Sequence, residues 1–142
     1  MNLSDYVKKR NGVPLGSKNS LRNMFARSLG AGKFSSFWRY WNPIWSYYLG
    51  KNIFKPLKII LPSSLSLILT FIICGFIHDS VIMLLRWQFT LIFTPWFLLM
   101  GIWVIVSDLI AMDYSKLRWI NRALINLVII GISFIAAYQI RH

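Results

Sequence analysis

The sequence contains no glutamate and only four aspartates, against 16 lysine and arginine residues, so its formal net charge is +12 over 142 residues. Such an excess of positive charge predicts an anionic partner, either nucleic acid or the headgroups of acidic lipids. No helix-turn-helix, zinc-finger or RNA-binding signature accompanies the charge, so we expect no nucleic-acid partner. A lipid bilayer with anionic headgroups is the partner that the composition favours.

Cysteine is nearly absent, since Cys74 is the one example in the sequence. An intramolecular disulfide and a zinc site built on cysteines are therefore excluded, and we expect no bound metal. The sequence also lacks internal repeats, a heptad seam and a glycine-rich phosphate loop. Its first ~30 residues contain no apolar stretch typical of a secretory signal, so membrane insertion is expected to depend on internal spans.

What the sequence does contain is apolar mass, with 56% hydrophobic residues and a mean hydropathy of +0.54. That is too apolar for an ordinary soluble domain of this size, and it predicts an integral membrane protein. Eleven of the 16 basic residues lie within residues 1–58. We therefore divide the chain into a basic cytoplasmic or interfacial arm, residues 1–33, and a membrane domain, residues 34–142.

Local patterns predict an all-α fold. The arm is rich in glycine and basic residues, which favours loops with one short amphipathic helix at Ser20–Leu29. Residues 34–49 are dense in aromatic residues, are too polar to span, and are interrupted at Asn42-Pro43, which is typical of an interfacial or re-entrant element.

About three transmembrane helices should follow, near residues 62–85, 89–107 and 123–140, with a lead-in from Leu57 and a possible kink at Pro95. Three crossings place the two basic segments on one side, so we expect a cytoplasmic N-terminus and an external C-terminus. The expected location is multi-pass in a bacterial inner membrane.

His78 lies within the first predicted span, where an ionisable residue is costly and is by default a functional hypothesis. A buried imidazole should be neutral and able to accept a proton, as a general base requires. The alternative is that His78 and Asp79 mark the watery end of the helix. Asp79 is not an automatic partner, because consecutive helical residues point ~100° apart. Asn42 could supply the partner amide, or it could serve only as a turn residue before proline.

Three segments resemble, in order and spacing, the core of the membrane-bound O-acyltransferase family. They are Ser36-Phe37-Trp38-Arg39-Tyr40-Trp41-Asn42, then Lys51-Asn52-Ile53-Phe54-Lys55-Pro56-Leu57, then Leu69-Thr70-Phe71-Ile72-Ile73-Cys74-Gly75-Phe76-Ile77-His78. The branch that acylates polysaccharides and teichoic acids has a Phe-Trp-Arg-x-Trp-His element, a Pro-Leu step and an apolar helix ending in Gly-x-x-His. The resemblance covers about residues 34–85.

The resemblance implies acyl transfer from a thioester, acyl-CoA or an acyl-carrier protein, to a hydroxyl, with no bound cofactor. The family's invariant histidine falls on His78 as general base, and its second polar residue falls on Asn42, where this branch has histidine. The remaining residues implied near the substrates are Arg39, Trp38, Trp41, Cys74 and Gly75. For each a structural alternative stays open: headgroup contact for Arg39, interfacial anchoring for the tryptophans, and packing or a covalent nucleophile for Cys74.

Family members are usually much longer, with more spans forming a tunnel for the acyl chain. This chain would then be a short or truncated member, completed by self-association or by a second membrane subunit, or an inactive relative. Two other functions remain open from the residues alone. One is a non-catalytic membrane subunit that scaffolds a partner through its basic arm, and the other is a small pore-forming oligomer.

Overall fold

The structure, a computed structural model, describes residues 1–141 and the side chains of residues 1–140. Within this range the fold is all-helical, as predicted, without β-strands. Five short α-helices and one π-helical segment precede three longer apolar helices. In chain order they are α1 (Leu3–Asn11), α2 (Ser20–Leu29), α3 (Phe34–Tyr40), α4 (Pro43–Leu49), the π segment (Gly50–Phe54), α5 (Lys55–Ile60), α6 (Ser63–Arg86), α7 (Phe93–Leu109) and α8 (Trp119–Arg141).

Three apolar helices form the second half of the chain, at the places where the sequence predicts spans. Helices α6 and α8 are long and apolar enough to cross a membrane, and α7 is shorter, with 17 residues. At ~1.5 Å per residue, α7 is about 25 Å long, against a hydrocarbon core of ~30 Å. Two predicted starts differ from the structure, because α7 begins at Phe93 instead of residue 89 and α8 begins at Trp119 instead of residue 123.

The start of α7 is determined by Asp79, a fully buried residue of α6. Its Oδ1 accepts hydrogen bonds from the amides of Ile92 (3.0 Å) and Phe93 (2.9 Å), and its Oδ2 accepts from the Thr94 amide and hydroxyl, both at 2.7 Å. The first amides of a helix have no partner inside the helix, and a carboxylate there also interacts favourably with the helix dipole. Pro95 consequently lies in the first turn of α7, where an amide donor would have no partner inside the helix. Its missing donor therefore removes no helical hydrogen bond, and the structure gives no reason for the predicted kink.

Glycine allows α6 and α7 to approach closely. A Cβ atom on Gly75 would lie 2.6 Å from the carbonyl oxygen of Phe93, and one on Gly101 would lie 3.1 Å from the Phe71 side chain. Around this contact lies the core, in which four of the nine buried members are phenylalanine. Its buried members are Ala31, Phe34, Phe37, Phe71, Cys74, Phe97, Met100, Val104 and Ile129.

The arm contains two helices where the sequence analysis expects one. Helix α2 has the predicted bounds. Helix α1 was missed, although its signals are local: Asn2 accepts a hydrogen bond from the Asp5 amide (2.8 Å), and Gly12 ends the helix at φ +79°. Asparagine is a favoured N-cap and glycine a favoured C-terminal stop.

The arm is attached to the first two turns of α8. Three side chains there bond to main-chain carbonyls at the end of α2: Trp119 Nε1 to Ala26 (2.9 Å), Arg122 Nε to Gly30 (2.7 Å), and Asn126 Nδ2 to Leu29 (2.8 Å) and Ala31 (3.0 Å). These bonds explain why α8 begins four residues earlier than predicted. They also place the basic arm at the same end of the apolar helices as the connection between α7 and α8.

Tyr114, in that connection, reinforces the attachment. Its amide donates to the carbonyl of Gly32 (2.9 Å) and its hydroxyl donates to Asn126 Oδ1. Burial, together with the negative charge of Asp113, raises the pKa of Tyr114 to about 12. The hydroxyl therefore remains a hydrogen-bond donor well above neutral pH.

The aromatic stretch is broken where the sequence predicts. Helix α3 ends at Tyr40 and α4 begins at Pro43, with Asn42 between them in the left-handed region (φ +40°, ψ +70°). Beyond the break, α4, the π segment and α5 continue as one helical stretch to Ile60, longer than the expected lead-in to α6. This stretch and α3 together form one wall of a cavity whose other wall is α6.

Candidate functional site

A cavity of about 230 Å³, here called the reaction cavity, lies between the aromatic elements and α6. Its lining is mainly aromatic and aliphatic, with a few polar groups. The lining residues are Trp38, Trp41, Asn42, Trp45, Ser46, Leu49, Gly50, Phe54, Leu67, Thr70, Phe71, Cys74, His78 and Phe97. Five residues singled out from the sequence, Trp38, Trp41, Asn42, Cys74 and His78, are therefore brought together at one cavity.

The imidazole of His78 has one nitrogen engaged by the helix backbone. Its Nδ1 lies 2.7 Å from the carbonyl oxygen of Cys74, one turn earlier in α6. A carbonyl oxygen can only accept, so Nδ1 carries the hydrogen, and in the neutral ring Nε2 then holds the lone pair. The ring packs against Phe93 and Phe97, each with a centroid distance of 5.2 Å. These contacts orient an imidazole whose Nε2 can accept a proton.

Asn42 both shapes the backbone and lines the reaction cavity. Its Oδ1 accepts a hydrogen bond from the amide of Trp45 (3.3 Å), which caps α4, so the turn role considered from the sequence is present. The amide group at Nδ2 has no hydrogen-bond partner among the described residues. Asn42 and His78 also line a second cavity, of about 420 Å³, that includes Ile77 and Phe93. Asn42 is an exposed residue that lines two cavities together with His78.

Cys74 lies beside His78 in a geometry that does not activate its thiol. The sulfur accepts a hydrogen bond from Trp45 Nε1 (3.2 Å) and lies 4.0 Å from His78 Nδ1. That nitrogen already carries a hydrogen directed to the Cys74 carbonyl, so it is not available to remove the thiol proton. The arrangement favours a packing role for Cys74.

Two other residues named from the sequence are placed away from the reaction cavity. Arg39 is exposed at the end of α3, and its carbonyl accepts a hydrogen bond from Arg10 (3.2 Å). Gly75 is buried against the start of α7. Among the described side chains, no group of three or more His, Cys, Asp or Glu residues is placed to hold a metal ion.

Comparisons with known proteins returned no matching family model, no matching curated protein and no matching solved structure. The resemblance to the O-acyltransferases therefore stays a prediction based on the quoted segments.

Four residues of the site were not predicted from the sequence: Trp45, Thr70, Phe93 and Phe97. Thr70 lies four residues before Cys74, so the helical repeat could have placed it on the same face of α6. Trp45, three residues after Asn42, lies in the aromatic stretch whose density of rings predicts an interfacial element. The packing of Phe93 and Phe97 on His78 has no local signal, because it depends on how α7 is docked.

Proposed function

We propose that this chain is a membrane-embedded O-acyltransferase that moves an acyl group from a thioester to a hydroxyl acceptor. The observation that carries the proposal is the shared cavity of His78 and Asn42, at which His78 has Nδ1 occupied and Nε2 available. An oriented base and an unpaired amide donor, set in a mostly apolar lining, are the groups that direct acyl transfer needs.

Embedding in a membrane is supported by the exposure of the apolar helices. Only 22% of the apolar window of α6 and 28% of that of α8 is buried inside the protein. The outward-facing side chains include Leu84, Leu85 and Ile135, each more than half exposed. Exposed apolar surface of this kind is stable in lipid and costly in water.

In the proposed mechanism the acceptor oxygen attacks the thioester carbonyl while His78 Nε2 removes the acceptor's proton. The carbonyl oxygen gains negative charge, and Asn42 Nδ2 donates a hydrogen bond either to that oxygen or to the acceptor. The carbon–sulfur bond then breaks, the new ester is released, and the imidazolium returns the proton to the departing thiolate. No covalent acyl-enzyme is formed on this route.

The test is acyl transfer by the purified chain in proteoliposomes, with a radiolabelled acyl thioester and a panel of hydroxyl acceptors. His78→Ala should lower the rate by about 10²–10⁴, the usual contribution of a general base. Asn42→Ala should lower it by about 10²–10³, the usual contribution of one oxyanion donor. Asn52→Ala is the matched control, because Asn52 is exposed and does not line the cavity, and its rate should stay near that of the wild type.

A second candidate, a non-catalytic subunit that scaffolds a partner, is favoured by one observation. Leu21 and Phe25 of α2 are 63% and 41% exposed, although the Phe25 ring also packs edge-on against Trp41 (5.5 Å), so the basic arm presents apolar side-chain surface. Under this alternative no acceptor would be acylated, His78→Ala would leave partner co-purification unchanged, and Leu21→Ser with Phe25→Ser would abolish it. Turnover that depends on His78 would instead exclude the scaffold as the sole function.

A further inference from the structure

A separate, basic cavity of about 510 Å³ lies where α1 of the arm meets α4, the π segment and α5. Its volume is within the ~300–1,000 Å³ typical of small-molecule pockets. Three of its lining side chains are cationic and none is acidic. The lining residues are Met1, Tyr6, Arg10, Ser46, Tyr47, Gly50, Lys51, Phe54 and Lys55.

Two of the three cations of this basic cavity lie over aromatic rings, and none of the three is paired with a carboxylate of the described residues. The Arg10 guanidinium lies 4.7 Å from the centroid of Tyr6, and the Lys51 ammonium lies 5.8 Å from that of Tyr47. Neither these two nor Lys55 forms an ion pair within the described part of the chain. Their positive charge is therefore left uncompensated by the protein, which favours an anion with several acceptor oxygens.

The basic cavity adjoins the reaction cavity. Ser46, Gly50 and Phe54 line both, so the π segment is a common wall. A π-helical insertion changes the direction in which successive side chains project, and such insertions are frequent at functional sites. Here Lys51 belongs to the basic cavity, while its neighbour Gly50 contributes to both.

We propose that the basic cavity binds a phosphate group, and that this phosphate belongs to an amphiphile whose apolar part extends past Gly50 and Phe54 into the reaction cavity. The phosphate site depends on charge and geometry alone, whereas its assignment to an acyl ligand rests on the proposed function. Two ligands share this chemistry: a soluble thioester donor that carries phosphates, and a phospholipid whose headgroup lies at the membrane surface.

The first experiment measures pyrophosphate binding by calorimetric titration of the full chain in a non-ionic detergent at low ionic strength. Lys51→Gln with Lys55→Gln should weaken binding by about ten-fold or more, because charge-assisted contacts to phosphate are lost. Lys8→Gln with Lys9→Gln removes the same charge from exposed positions of α1 that do not line the cavity, and it should change affinity by less than about two-fold. Equal weakening in both double variants, or no binding to the wild type, would overturn the proposal.

Two further variants separate binding from folding and from turnover. Lys51→Arg with Lys55→Arg should retain binding, since arginine keeps the charge and suits phosphate geometry. His78→Ala should bind pyrophosphate as the wild type does. Binding without any acyl transfer would therefore count against the proposed function alone, and acyl transfer without binding would count against the phosphate site alone.

The occupant is identified by displacement of bound pyrophosphate. A non-hydrolysable thioether analogue of an acyl-coenzyme A should displace it if the ligand is a soluble donor, and phosphatidylglycerol added to the micelles should displace it if the ligand is a lipid. Either result supports the phosphate site and identifies the kind of ligand that occupies it. Displacement by neither amphiphile would refute the link between the two cavities.

Discussion

The imidazole of His78 donates through Nδ1 to the Cys74 carbonyl, and this bond decides how the neighbouring thiol can act. Because the proton-accepting nitrogen is Nε2, the sulfur 4.0 Å from Nδ1 is not positioned to be deprotonated. The structure thus distinguishes two roles for Cys74 that the sequence leaves open, nucleophile and packing residue, and it favours packing.

We predict that Cys74→Ala retains acyl transfer within about ten-fold of the wild type, a change of ~1.4 kcal/mol in the barrier. The mutation removes a buried sulfur and its hydrogen bond from Trp45 but leaves the His78–carbonyl bond in place. The measurement is turnover together with acid-quenched protein analysed for bound acyl label. A covalent mechanism would instead show acylated wild-type protein and a Cys74→Ala variant as inactive as His78→Ala.

At the level of elements, the start of α7 shows why helix boundaries were the weakest sequence predictions. Residues 89–92 are mostly apolar and include Thr90, a residue type preferred at N-caps, yet the helix begins only at Phe93. The cap comes from Asp79, 13 to 15 residues earlier and in a different helix. By contrast, the bounds of α2 and the break at Asn42-Pro43 follow from local signals, and both were predicted.

Removing this cap should be costly. We predict that Asp79→Ala lowers the free energy of unfolding by about 2–4 kcal/mol, because four donors lose a buried acceptor. Asp108→Ala is the matched control. Asp108 is exposed near the end of α7 and accepts one hydrogen bond, from Ser35 Oγ (3.0 Å). Its loss should therefore lower the free energy of unfolding by less than about 1 kcal/mol. Unfolding in detergent, followed by circular dichroism, measures both. Similar losses for the two variants would show that Asp79 does not hold α7.

At the scale of the whole molecule, the distribution of basic residues and the bonds between the arm and α8 both indicate that one end of the protein is basic. Eleven of the basic residues lie in residues 1–58, and the arm that carries most of them is bonded to α8 next to the connection between α7 and α8. Arg86, at the end of α6, begins the connection at the opposite end of the apolar helices. Both basic segments therefore belong to one end of the protein, and the cytoplasmic location of that end stays a prediction of the positive-inside rule.

This polarity predicts a labelling pattern in sealed right-side-out membrane vesicles. In a Cys74→Ala background, a cysteine introduced as Gln88→Cys should react with an impermeant maleimide from outside. Cysteines introduced as Lys18→Cys and Lys116→Cys should react only after the vesicles are opened. All three sites are exposed, so burial does not account for the difference. Labelling of Gln88→Cys and Lys116→Cys from the same side would rule out three crossings.

The sequence by itself determined the helical class, the apolar character of the three later helices and the concentration of charge near the N-terminus, because these depend on composition and on patterns within single segments. It also singled out His78, because an ionisable residue within a predicted span is costly, and it singled out Asn42 through the resemblance to the O-acyltransferases. Only the tertiary structure decided that they line one cavity, that Asp79 begins α7, and that the arm is bonded to α8. Those facts arise from contacts between residues far apart in the chain, whose partners no local pattern specifies.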